Sequence, residues 1–183
     1  RDALAGARTN NDEPLLSLTE RMPVLLVLLR HFGCTFCREA AADIAARRAE
    51  IEGSGVGICF VYMPGHGPGA DAETAARASA KAEAFFTRYG LADCPRIADP
   101  TRSLYRALEL PRGTLGQLFG PRVWLRGVVA GLFKRHLVGG LVGDGFQMPG
   151  VFLLHRGKIV HAYRHEHAGS VPDYCGLAST PAS

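Results

Sequence analysis

The chain has 183 residues, 47% hydrophobic and 21% charged, with a net charge of +4. That length suits one domain with a substantial core, and the composition excludes a disordered chain. Five cysteines, an odd number without framework spacing, argue against a stapled secreted domain and for a reducing, cytoplasmic setting. No basic and aromatic interleaving marks a nucleic-acid surface, so none is expected as a partner.

Residues 1–14, with Asn10-Asn11-Asp12 and Pro14, read as a mobile N-terminal arm. The chain begins at Arg1 rather than methionine, and the expectation is that it has been trimmed or processed. Leu15-Leu16-Ser17-Leu18 is expected to be a short edge strand. Residues 23–30 form the main strand, an uncharged apolar run up to Leu29 that is too short to cross a bilayer. A helix is expected from about Cys34 to Glu52, rich in alanine and closed by Gly53-Ser54-Gly55. Residues 56–62 are the next apolar strand, and strand–helix–strand with two apolar strands implies a parallel pair. Cys59 in that strand reads as a core residue.

The junction between first strand and helix carries Arg30-His31-Phe32-Gly33-Cys34-Thr35-Phe36-Cys37. A helix start offers unpaired N–H groups and the positive end of the helix dipole, which stabilise a thiolate and lower its pKa. A second cysteine one turn on can close a disulfide with the first, the minimum equipment for two-electron thiol chemistry. The competing readings are half of a zinc site or two inert thiols. Cys59, Cys94 and Cys175 are isolated from one another and supply no second ligand pair, so redox chemistry is favoured and no metal is expected.

Pro64 to Gly69 is a loop at the carboxyl end of a strand, where His66 reads first as an ordinary exposed histidine and second as a neighbour of the thiols. Residues 72–89 are a helix, Pro95 to Asp99 a short strand, and Thr101 to Leu108 a short helix. Residues 111–143 contain five cations (Arg112, Arg122, Arg126, Lys134, Arg135) and no acidic residue. They read as a basic helical insert covering the sheet, with docking on an anionic membrane surface or a protein partner as the alternative. Residues 151–155 and 158–163, joined at Arg156-Gly157, make an antiparallel hairpin. His161, His165 and His167 read as surface or substrate-groove histidines rather than metal ligands. Val171 to Leu177 is expected to be a closing turn of helix, and 178–183 a tail.

Taken together, this order resembles the α/β thioredoxin-like fold: a central mixed sheet flanked by helices, one domain over 15–177. Met148-Pro149 followed by the hairpin is similar to the cis-proline segment of thioredoxins, which implies a cis bond there. Residues 29–39, Asp99-Pro100 with Leu104-Tyr105, Gly143-Asp144 ahead of Gln147, and His165 to Gly169 resemble the peroxiredoxin-like branch of the alkyl hydroperoxide reductase and thiol-specific antioxidant family. The resemblance implies a thiol oxidoreductase without a cofactor. It would cycle Cys34 and Cys37 between dithiol and disulfide, reduce a peroxide or disulfide, and draw electrons from a thioredoxin-type donor. Met148, Pro149, Arg30, His31 and Phe36 are the expected substrate-side residues. The Pro-x-x-x-Thr-x-x-Cys pattern of typical peroxiredoxins is absent in either register. Thioredoxin logic makes Cys34 the attacking thiol, and peroxiredoxin logic makes it Cys37. A different class of function is a redox-regulated binding module that docks through 111–143.

Overall fold

The structure, a computed structural model, describes residues 2–113, 146–166 and 170–179. The basic insert beyond Gly113, His167 and the end of the tail lie outside the described residues. Elements are numbered as they occur among the described ones.

Strand β1 (Val24–Leu28) is buried at every position, because it is covered on both faces and paired on both edges. It runs parallel to β2 (Gly57–Tyr62) and antiparallel to β4 (Gly150–His155). Strand β3 (Arg96–Ala98) extends the sheet parallel to β2, and β5 (Lys158–Arg164) closes the other edge, giving the order β3-β2-β1-β4-β5. Alternation along β1 sends Leu25 and Val27 into one core and Val24, Leu26 and Leu28 into the other. That two-sided burial is why the segment reads as an unbroken apolar run.

On the first face lie α3 (Thr35–Gly53), α4 (Ala72–Arg88) and the short α6 (Tyr174–Ala178), which packs on α3. Phe32, Tyr62, Phe85 and Phe86 form an aromatic cluster there, with Phe32 stacked on Phe85 at 4.5 Å. On the second face lie α1 (Asp2–Ala5), α2 (Leu15–Arg21) and α5 (Ser103–Ala107). The β4–β5 hairpin turns at Arg156 and Gly157, both with positive φ, the turn geometry that suits strand twist.

Three expectations need correction. Residues 15–21 are a helix, not an edge strand: Leu15, Leu18 and Thr19 are buried at helical spacing, and the Met22 N–H donates to the Leu18 carbonyl. The N-terminal segment is docked rather than loose. The Leu15 N–H donates to the Ala7 carbonyl, and Asn10 exchanges two hydrogen bonds with Arg96, so the segment is tied to the start of β3. The Met148-Pro149 bond is trans, since no cis peptide occurs among the described residues. The Met148 N–H donates to the Pro111 carbonyl, and the Gln147 amide donates to the carbonyls of Leu110 and Pro111. Those bonds tie the approach to β4 to residues 110–111.

Candidate active site

The thiols stand where β1 hands over to α3. Cys34 is the N-cap of α3, in extended backbone, and Cys37 lies in its first turn. The loop between strand and helix is clamped by its own backbone. The Cys34 N–H donates to the His31 carbonyl at 3.0 Å, and Arg38 Nε donates to the Phe32 carbonyl at 3.1 Å. Both cysteines are free and buried.

Arg30 serves both sulfurs. Its backbone N–H donates to Cys37 Sγ at 3.2 Å, and its guanidinium Nη1 donates to Cys34 Sγ at 3.6 Å. The side chain is 5% exposed, so its charge acts across a poorly screened distance. The two thiols are thereby driven apart in acidity. Cys34 is lowered to about 6, first by the hydrogen bond from Cys37, then by the Arg30 charge, against the opposing effect of burial. The N–H groups of Phe36 and Cys37 lower it a little further without closing a capping hydrogen bond. Cys37 is raised well above the free-thiol range by burial and then by its neighbour Cys34. In this arrangement Cys34 is the thiolate and Cys37 the protonated donor.

Behind Cys37 lies a cavity of about 20 Å3, room for one water molecule. Arg30, Phe36 and Pro149 line it, together with Glu39, Asp43 and His165. Of the substrate-side residues named from sequence, Arg30, Phe36 and Pro149 therefore line the cavity beside Cys37. His31 is buried and contributes its backbone to the loop. Met148 is fully buried with its N–H already engaged, so it offers no free donor to an extended substrate. His66 lines a separate open groove with Met63, Arg102 and Arg112. His161 sits in β5 opposite Leu153. No group of three or more His, Cys, Asp or Glu suited to a metal occurs among the described residues. Sequence reasoning missed Glu39 and Asp43 as lining residues, while His165, read from sequence as a surface or substrate-groove histidine, lies in the lining. Glu39 and Asp43, four apart on α3, were visible as one face; His165 comes from the far end of the chain, and its place beside Cys37 had no local signal.

The other cysteines are placed differently. Burial raises Cys59 in β2 far out of the reactive range and Cys94 to about 11.

The comparisons with known proteins agree with this frame. The family model for AhpC/TSA antioxidant enzymes matches residues 76–168, half of the chain. The chain belongs to that family. The matched stretch begins after the Cys34–Cys37 pair. A curated relative, the chloroplastic thioredoxin-like protein AAED1 of Arabidopsis thaliana, is 29% identical over 106 residues. That match takes in 56% of this chain and 36% of the relative, so the chain spans only about a third of its length. The fold is similar to that of a peroxiredoxin Q from Xanthomonas campestris, with TM-score 0.52 and 14% identity over 92% of this chain and 86% of that one. A cysteine-to-serine mutant of Xylella fastidiosa PrxQ gives 0.58, at 12% identity over 96% and 87%. Reduced Prx3 from Vibrio vulnificus, solved with hydrogen peroxide, gives 0.55, at 17% identity over 88% and 83%. The fold is thus thioredoxin-like, of the peroxiredoxin type. Among the described residues, no helix is long and apolar enough to cross a membrane.

Proposed function

We propose that the protein is a peroxiredoxin-like thiol peroxidase that cycles Cys34 and Cys37 between dithiol and disulfide. The observation that supports this most strongly is Arg30, buried at the end of β1, donating to both sulfurs at a helix start. A guanidinium beside a thiolate lowers that thiol's pKa and supplies a donor for the peroxide oxygen that takes on negative charge.

In the proposed cycle the Cys34 thiolate attacks the nearer peroxide oxygen. The S–O bond forms as the O–O bond breaks, and the departing oxygen leaves as an alcohol or water after taking a proton. Cys34 is left as a sulfenic acid. Cys37 loses its proton and attacks the Cys34 sulfur, water departs, and a disulfide remains. An external dithiol of the thioredoxin type then returns two electrons and two protons. A disulfide substrate would enter the same cycle by a mixed disulfide on Cys34. Five free thiols fit a thiol-reducing compartment.

The test pairs Cys34→Ser with Cys37→Ser under hydrogen peroxide and a sulfenic-acid trap. Cys37→Ser is expected to accumulate trapped sulfenic acid at Cys34, and Cys34→Ser to trap far less. A rapid trap at Cys37 in Cys34→Ser would reverse the two roles, and no trap in either would refute the peroxidase reading.

A further inference from the structure

Among the described residues, Tyr105 is the largest side chain wholly removed from solvent. It sits in the apolar core formed by Leu26, Leu28, Val61 and Leu104, where phenylalanine would satisfy packing and a phenol must find a partner. Its hydroxyl finds one 76 residues away in sequence. It donates to the Leu29 carbonyl at 2.5 Å, with the Val61 carbonyl at 3.3 Å. The Leu29 carbonyl belongs to the same peptide unit as the Arg30 N–H, and that N–H donates to Cys37 Sγ at 3.2 Å.

We infer that Tyr105 is a positioning residue for the thiol pair: its hydroxyl orients and polarises the 29–30 peptide, whose N–H holds Cys37 as the donor to Cys34. The proposal rests on the thiol chemistry above and adds a group that touches neither sulfur. A hydrogen bond accepted by a carbonyl strengthens the N–H of the same peptide as a donor, because successive dipoles polarise one another in a low-dielectric setting. The chain then runs from the Tyr105 hydroxyl to the Leu29 carbonyl, from the Arg30 N–H to Cys37 Sγ, and from the Cys37 thiol to the Cys34 thiolate.

The phenol is built to donate at all working pH values. Burial pushes its pKa far up, with the Asp99 charge acting in the same direction. Asp99 also fixes the helix that carries it, accepting from the N–H groups of Ser103 and Leu104 at 2.9 and 2.8 Å. The other titratable or charged groups around Cys37 are Cys34, the Arg30 guanidinium, His31, whose backbone also acts on the Cys37 thiol, Tyr174, and Glu39, Asp43 and His165 across the cavity.

The experiment is a double-mutant cycle read by the pH midpoint of Cys34 alkylation, followed peptide by peptide in the mass spectrometer. Tyr105→Phe removes the hydroxyl alone. It is expected to raise the Cys34 midpoint by about half a pH unit, a roughly threefold loss of thiolate below the midpoint. In Cys37→Ala the chain is already cut, and Tyr105→Phe is expected to move the midpoint no further. A shift of equal size in both backgrounds, or in neither, would overturn the proposal and leave Tyr105 a packing residue. Should Tyr105→Phe fail to fold, fluorinated tyrosine incorporated at position 105, a stronger donor, must lower the Cys34 midpoint; an unchanged midpoint overturns the proposal equally. Peroxide consumption by the unmodified protein is measured separately. If the protein consumes no peroxide while Cys34 still titrates low, the peroxidase reading fails and the positioning role is judged on the shift alone.

Discussion

Arg30 concentrates the chemistry of the thiol pair in one residue, its backbone on Cys37 and its guanidinium on Cys34. Arg30→Met keeps the backbone bond and removes the charge. It is expected to raise the Cys34 midpoint and to slow peroxide reduction by about a hundredfold, the usual cost of one lost transition-state donor. Arg30→Lys keeps the charge but not the fork geometry, and is expected to recover only part of the loss. Stopped-flow oxidation against pH checks both, and an unimpaired Arg30→Met would remove the arginine from the mechanism. Much of this was legible in the sequence. An apolar run ending in arginine, then two cysteines at helix spacing before an alanine-rich segment, sets the strand end and helix start by local propensity alone. Tyr105 was legible only as part of a short helix and of the family resemblance, because its hydrogen bond is made to a carbonyl 76 residues away.

Elements place those residues, and two positions show how tightly. Gly150 opens β4 opposite Leu28 of β1. A Cβ there would lie 2.7 Å from Leu110 Cδ2 and 2.9 Å from Phe152 Cε2. Gly150→Ala is therefore expected to destabilise by about 1–3 kcal/mol through overpacking, read by urea denaturation; a loss of less than half a kcal/mol would show that Leu110 moves freely aside. Asp99 caps α5 from a buried position, its carboxylate accepting from two N–H groups and two hydroxyls. Asp99→Ala is expected to cost about 2 kcal/mol and to raise the Cys34 midpoint in step with Tyr105→Phe, because the helix that aims the phenol loses its start. The same scale shows where sequence reading failed. Leu15-Leu16-Ser17-Leu18 is a short apolar run, ambiguous between strand and helix until its burial on one helical face is known. The approach to Pro149 is anchored on carbonyls nearly forty residues earlier, at Leu110 and Pro111, a contact no local pattern encodes.

At the scale of the whole molecule, the acidity of Cys34 is also a term in folding. Its pKa in the folded protein is about 6, below the ~8.5 of a free thiol in the unfolded chain. A depressed folded pKa contributes stability that is fully present above the unfolded value and is lost as pH falls through the folded one. The window is therefore pH 6 to about 8.5, and the contribution at its upper end is of the order of 3 kcal/mol. The reduced protein and Cys34→Ser, which has no thiol to titrate there, are expected to diverge across this window, with the advantage of the reduced protein growing as pH rises. The same stabilisation of the reduced state would make the proposed Cys34–Cys37 disulfide easier to reduce, since whatever favours the thiolate favours the dithiol side of the couple. Urea denaturation of both proteins under reducing conditions, at several values between pH 5.5 and 8.5, reads the first effect; equilibration with glutathione reads the second. A constant difference in unfolding free energy over the range would mean that Cys34 titrates as an ordinary thiol. A potential that stays fixed when Arg30→Met is introduced would mean that the guanidinium does not stabilise the dithiol.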